Sequence, residues 1–280
     1  MVRSPDSPES VPPPIITLLT DFGAADVFVG SMKGVILGIN PHAKIIDLTH
    51  DIPAHNIRAG AYLLHSASRH FPPDTIHVAV VDPGVGSERR PLLVTTRSYH
   101  FLAPDNGLLS YILAAEPKAE VRELTAKQYF LGTVGTTFHG RDLFAPAAAH
   151  LALGVELSLL GPPIAVDALA RLDLPQPEVG ASRIRCTVLA IDRFGNVQLN
   201  LDRSHSEAVG MVPGTRVELQ IGPERYYAVA ARTFADARPG DLILYEDSYR
   251  NLSIAINGGN AAGMFGIAPG QDVRIHLEPS

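Results

Sequence analysis

Five aspartates in this 280-residue chain stand where an apolar run gives way to a loop. Asp21 follows residues 15–20, Asp51 follows 45–48, Asp82 follows 76–81, and Asp105 and Asp142 open later loops. Each alone is an ordinary turn or helix-capping residue. Together they imply more, because loops at the carboxyl ends of strands in an open α/β sheet gather along one edge, where ligands bind. Two chemistries suit such a cluster. Asp21, His50, Asp51, Asp82 and His139 mix the carboxylates and imidazoles that hold a divalent ion for activating water, although no tight spacing such as His-Glu-x-x-His ties them together. Alternatively the carboxylates hold sugar hydroxyls and position a catalytic pair with no metal, while Gly84, Gly86 and Gly107 let the backbone approach a ligand. No Gly-x-Gly-x-x-Gly or Walker loop follows a strand, so a nucleotide held by its diphosphate is not indicated.

The elements that must position these residues follow from hydrophobic periodicity. From 15 to about 161, β-branched runs at 15–20, 45–48, 76–81 and 91–96 alternate with helical-period segments at 26–39, 57–70, 107–115 and 142–153. Asp142 is the expected N-cap of the last helix and Pro146 falls near its first turn. Runs apolar on both faces require helices above and below, so this half is read as an α/β domain with a mostly parallel sheet. Residues 162–182 carry Pro162, Pro163, Pro175 and Pro177 without strong period and are read as a linker. The segments 183–191, 197–201, 216–221, 226–233, 242–245, 252–256 and 273–277 are short and mostly alternating, which predicts a small all-β barrel over 183–280. Residues 1–14, rich in Ser, Pro and acid, are read as a disordered tail.

Composition excludes some partners. Net charge is −6 and no run of Lys and Arg is long enough to track phosphates, which argues against nucleic acid. No stretch reaches the roughly 18 consecutive apolar residues of a membrane helix. The single cysteine, Cys186, lies in an apolar run and is expected buried, inert and reduced; with no signal-peptide pattern at the start, the protein is expected in the cytoplasm.

Six motifs in order carry a resemblance: Thr20-Asp21-Phe22-Gly23 with Asp26, Leu48-Thr49-His50-Asp51-Ile52-Pro53, Val81-Asp82-Pro83-Gly84-Val85-Gly86, Pro104-Asp105-Asn106-Gly107, Phe138-His139-Gly140-Arg141-Asp142 and Asp192-Arg193-Phe194-Gly195-Asn196. In these the chain resembles the S-adenosylmethionine hydrolases (hydroxide adenosyltransferases), relatives of the fluorinating and chlorinating enzymes. The resemblance implies hydrolysis of the sulfonium to adenosine and methionine, with no metal and no cofactor beyond the substrate itself. It also implies a homotrimer whose sites lie at subunit interfaces. Asp82, Arg89 and His139 would handle the attacking water, with Arg90 as the alternative arginine. Asp21 would accept from the ribose hydroxyls, and Asn106 would join the substrate-binding set. Asp192 and Ser248 would hold the methionine ammonium and carboxylate, Phe194 and Phe234 would flank adenine, and Asn196 and Asn257 would read its edge or the carboxylate. His55 stands where the halogenating relatives carry a tryptophan. A non-catalytic protein binding the same ligand and a metal-dependent phosphoesterase are the competing readings.

Overall fold

Alternate residues of β1 (Ile15–Thr20) and β3 (Thr75–Val80) enter different cores. Ile16, Leu18, Ile76, Val78 and Val80 pack on one face of the sheet, while Leu19 and Ala79 pack on the other. A strand apolar on both faces needs a helix layer on each side. The computed structural model, which describes residues 12–277, supplies both. The chain divides at Leu172/Asp173 into two compact units, each with its own core.

In the first unit, β1, α1 (Phe28–Ile39), β2 (Lys44–Thr49), α2 (Ile57–Ser68) and β3 are followed by β4 (Pro91–Thr95), β5 (Tyr99–Pro104), α3 (Ser110–Ala115) and β6 (Glu120–Glu123). A π-helical turn, Gly140–Phe144, then runs directly into α4 (Ala145–Ala152), and a short α5 (Leu157–Leu160) closes the unit. The strand order is β2-β1-β3-β5-β4-β6. The pairs β2–β1, β1–β3 and β3–β5 are parallel, whereas β4 runs antiparallel to both β5 and β6. The expected mostly parallel sheet with flanking helices is thus present. The pair β5 and β6 is an addition: β5 ends in a proline and β6 is a polar edge strand, so neither carries the β-branched run that marks the others.

Asp142 is not the N-cap expected of it. It lies inside the π-turn with its side chain fully buried, and α4 begins three residues later with Pro146 in its first turn. The stretch 162–182, read as a linker, contains the division between the units and makes specific hydrogen bonds. Ile164 N donates to Val121 O at 2.8 Å, Ala170 N to Asp105 Oδ1 at 2.8 Å and Leu172 N to Ser110 Oγ at 2.8 Å, while β7 (Glu178–Val179) pairs with β8.

The second unit contains β8 (Arg183–Ile191), β9 (Val197–Asp202), α6 (Arg203–Ala208), β10 (Arg216–Ile221), β11 (Glu224–Ala230), β12 (Leu242–Glu246), β13 (Asn251–Ile256), α7 (Ala261–Phe265) and β14 (Asp272–Leu277). The order β14-β10-β11-β12-β13-β9-β8 closes on itself because β14 pairs with β8 from Asp272↔Thr187 to His276↔Arg183. A seven-stranded barrel results, its interior filled by residues such as Val188, Leu199, Val217, Leu219, Ile254 and Ile275. Cys186 is buried within it, and burial pushes its thiol pKa up. Among the described residues no helix is long and apolar enough to cross a membrane.

The middle of β3 carries a fully buried histidine, His77. Its Nδ1 lies 2.7 Å from Thr17 Oγ1, and its ring stacks on Phe101 with centroids 5.0 Å apart. Burial, with a smaller push from His100, lowers its pKa from 6.5 to about 3. The unfolded chain therefore takes up a proton that the fold refuses. The stability this neutral histidine contributes is intact above pH 6.5 and is lost as pH falls toward about 3, at roughly 1.4 kcal/mol per pH unit. His77→Phe removes that slope. Urea unfolding of both proteins between pH 6 and 4 should show the variant gaining on the parent by about that amount per unit; parallel curves would contradict the assignment.

Candidate active site

The strand order reverses between β1 and β3, because the chain leaves β1 toward β2 on one side and returns to β3 on the other. Such a switch point opens a crevice at the carboxyl edge of the sheet. The register Thr20↔Val80 brings the two exits level, so Asp21 and Asp82 leave adjacent parallel strands at that crevice.

Asp82 is held by Arg89. Arg89 Nε donates to Oδ2 at 2.9 Å and to Oδ1 at 3.1 Å, and Nη2 makes a further close contact with Oδ2. The side chains are only 8% and 3% exposed for Arg89 and Asp82. The same Nη2 lies 2.7 Å from His139 Nδ1, and the Phe144 ring sits 5.7 Å from the guanidinium carbon. An arginine has no lone pair to offer, so Nδ1 must be the acceptor and the neutral imidazole carries its proton on Nε2. Burial first, and then the Arg89 cation, hold His139 below the ordinary histidine pKa, with Asp82, Asp142 and the Gly135 backbone pulling the other way. Three residues far apart in sequence thus form one chain, Asp82–Arg89–His139. Arg90 is engaged elsewhere: it pairs with Asp105 Oδ2 through Nε at 2.9 Å and donates to Ala168 O at 2.6 Å.

Asp21 Oδ2 accepts from the His55 amide at 2.8 Å, and His55 adopts φ 65° to deliver it. This conformation is uncommon for a residue with a side chain and recurs at functional sites. Asn106 has its amide committed to Val81 O at 2.8 Å and to Leu108 N at 3.2 Å, so it braces the loop after β3. Of the alternative metal set, His50 turns to Thr20 Oγ1 at 2.8 Å and to Asp47 Oδ1 at 3.1 Å. Among the described residues no three His, Cys, Asp or Glu side chains gather as metal ligands.

In the second unit the loop between β8 and β9 is shaped by Asp192. Its Oδ1 accepts from the amides of Phe194 and Asn196, both at 2.9 Å, and Oδ2 accepts from Asn196 Nδ2 at 2.7 Å. Phe194 is left 68% exposed, with the Arg193 guanidinium carbon 5.9 Å from its ring centroid. Phe234 packs on Tyr245 with ring centroids 5.0 Å apart, and Asn257 Nδ2 donates to Phe234 O at 3.1 Å and Ala237 O at 2.9 Å. Ser248 is exposed in the turn that follows Asp247. Burial first, and then the charges of Asp247 and Asp192, push the Tyr245 hydroxyl up to about 12. Sequence reasoning did not single out Tyr245, which reads as an ordinary β12 aromatic.

Known proteins match most of the chain. A model of the SAM hydroxide adenosyltransferase N-terminal domain matches residues 16–161, and one of the C-terminal domain matches 186–274. An (R)-S-adenosyl-L-methionine hydrolase of Salinispora tropica is 39% identical over 267 residues, covering 94% of this chain and 98% of that one. One from Thermus thermophilus is 36% identical, covering 93% and 98%. The crystal structure of a conserved protein from Thermotoga maritima superposes with a TM-score of 0.90 at 35% identity, covering 93% of this chain and 99% of that one.

Two glycines near Asp82 make contrasting tests. A Cβ on Gly86, whose φ is +80°, would stand 2.4 Å from the Thr136 carbonyl, whereas one on Gly84 would meet nothing closer than 3.5 Å. Gly86→Ala should destabilise by about 1–3 kcal/mol and depress activity by driving the Asp82–Arg89 loop from the His139 loop. Gly84→Ala should leave the melting temperature near that of the parent. Equal melting temperatures for the two variants would contradict the packing described.

Proposed function

The chain belongs to the SAM hydroxide adenosyltransferase family, and from that premise we propose that it hydrolyses S-adenosyl-L-methionine to adenosine and L-methionine by attack of water at the ribose C5′. The observation that carries the mechanism is the Asp82–Arg89–His139 chain at the crevice beside Asp21.

The substrate needs no acid to assist departure, because its sulfonium leaves as the neutral thioether of methionine. What it needs is an oxygen nucleophile aligned behind the C5′–S bond and shielded from bulk water. As the O–C5′ bond forms, the electron pair of the C5′–S bond passes to sulfur and the attacking water becomes an alkyloxonium. That species is far more acidic than water, so an arginine-paired carboxylate is base enough. Asp82 Oδ1, less occupied than Oδ2, takes the hydrogen bond and then the proton. His139 lines the same place and restricts the direction of that oxygen, while Arg89 locks both groups in place. Asp21, with Oδ1 left over, accepts from the ribose hydroxyls.

Asp192 retains acceptor capacity for an ammonium after its three internal bonds, since a carboxylate offers about four acceptor positions. Phe194 and Phe234 offer faces for adenine, Ser248 a hydroxyl for the carboxylate, and Asn106, Asn196 and Asn257 shape the loops around them. In this proposal the active assembly is a homotrimer in which one subunit's water-handling set works with the second unit of a neighbour. The reaction needs neither metal nor cofactor, and the lone buried Cys186 is in keeping with a cytoplasmic enzyme.

Purified protein incubated with S-adenosyl-L-methionine should release adenosine and methionine in equal amounts, unaffected by chelator. Intact substrate at high protein concentration would favour a binding protein, and loss of activity with chelator would favour metal chemistry. Asp82→Asn and His139→Ala should each lower kcat by about 100- to 10,000-fold with KM much less affected; wild-type turnover in either variant would remove it from the mechanism. Sedimentation should give the mass of three chains, and a monomer with full turnover would contradict the shared site.

A further inference from the structure

A carboxylate with no exposed surface is costly to keep unless its partners are specific. Asp142 is such a group: its side chain is 0% exposed, it lies three residues after His139, and it faces inward from the π-turn Gly140–Phe144. Its Oδ2 accepts from Gly135 N at 2.8 Å and its Oδ1 from Arg141 Nε at 2.5 Å. Its backbone is used as well, the carbonyl accepting from Leu131 N at 2.9 Å and the amide donating to Phe138 O at 3.1 Å. Both ends of the segment 131–142 are therefore fastened to this one residue, and His139 lies within that segment. The Gly135 backbone in turn acts on the His139 imidazole.

We propose that Asp142 is a positioning residue: by holding the Gly135 amide from within the π-turn, its buried carboxylate sets the orientation in which His139 meets Arg89 and the attacking water. The inference rests on the water-handling role given above to His139. π-Turns cost hydrogen-bond geometry and recur at functional sites, and here the turn is what rotates Asp142 inward. Had the helix begun as a regular α-helix capped by Asp142, the carboxylate would bond the helix's own amides and leave Gly135 unheld. Arg141 completes the arrangement, its guanidinium carbon 5.0 Å from the Phe138 ring while its Nε neutralises Asp142. The charged groups acting on His139 are Arg89, Asp82 and Asp142; of these Arg89 lowers its pKa and the two carboxylates raise it.

Two variants approach the same contact from opposite sides. Asp142→Asn keeps the shape and removes the charge. Gly135→Ala keeps the carboxylate but places a Cβ 3.0 Å from its Oδ2, close enough to displace it by a few tenths of an ångström. In Asp142→Asn kcat should fall by about 10- to 100-fold, up to the loss that a misplacement of the order of 1 Å produces, and in Gly135→Ala, where the displacement is smaller, by about 3- to 10-fold, while KM changes little in either. Histidine-labelled NMR without substrate, with the signal assigned by His139→Ala, should show His139 titrating at lower pH in Asp142→Asn, because the anion that favours the imidazolium is gone. The acid limb of kcat should move the same way. If Asp142→Asn does not fold, Gly135→Ala decides by its split between kcat and KM. Wild-type kcat in Gly135→Ala, or an unmoved His139 titration in a folded Asp142→Asn, overturns the proposal. If the wild-type protein does not hydrolyse S-adenosyl-L-methionine, the failure belongs to the activity, and the titration still tests the positioning.

Discussion

Taking a guanidinium and a carboxylate out of water costs several kcal/mol for each ion, and their attraction offsets this only when geometry is good and the remaining donors and acceptors find partners. Arg89 and Asp82 meet that condition at the carboxyl edge of β3. The arginine gives Nε to both carboxylate oxygens and shares Nη2 between Asp82 and His139, while Phe144 covers its face. The loop after β3 and the loop before α4 must therefore approach to hydrogen-bond distance, with a glycine where they meet. Gly86 is that position, its missing Cβ leaving room for the Thr136 carbonyl. The parallel pairing of β1 with β3 then brings Asp21 to the same crevice.

Much of this was legible in the sequence, for a physical reason. Apolar runs with period 2 and segments with period 3.6 reflect burial on a sheet face or a helix stripe, and burial is what organises the first unit. Loops at strand ends follow from those runs, which is why Asp21 and Asp82 stood out beforehand. The barrel was legible through its alternation, and its closure by β14 against β8 agrees with seven short segments of similar length. The strands without a clear signal are β5, whose buried Phe101-Leu102-Ala103 core is only three residues long and is bounded by Tyr99-His100 and a proline, and β6, a four-residue edge strand with three charged residues.

Within the site, residue types were legible and pairings were not. Arg89 and Arg90 are neighbours in sequence, yet one reaches Asp82 and the other Asp105. Consecutive residues point to different sides, and only three-dimensional placement says which side holds the histidine. Asp142 in a helix-starting position reads as an N-cap, because nothing in local sequence announces a π-turn; its use by Gly135 depends on a loop that folds back over it. Asn106, Asn196 and Asn257 spend their amides on loop atoms. Asparagine in a loop near a site serves the loop as readily as the ligand, and sequence cannot tell the two apart.

The charge pattern of the crevice also bears on which nucleophile it admits. A halide carries negative charge and no proton, so it must be surrounded by donors and kept from carboxylates. Water must give up a proton and needs an acceptor beside it. Asp82 places an anion at the crevice, and its pairing with Arg89 leaves the pair near neutrality rather than cationic. His139 adds a neutral ring whose Nδ1 is already occupied by arginine. A site with one carboxylate acceptor, one imidazole donor and no excess positive charge solvates a water molecule better than it solvates an anion. In the proposed mechanism the residues that handle water therefore also disfavour halide attack, and both properties depend on Arg89 holding Asp82 and His139 in one contact.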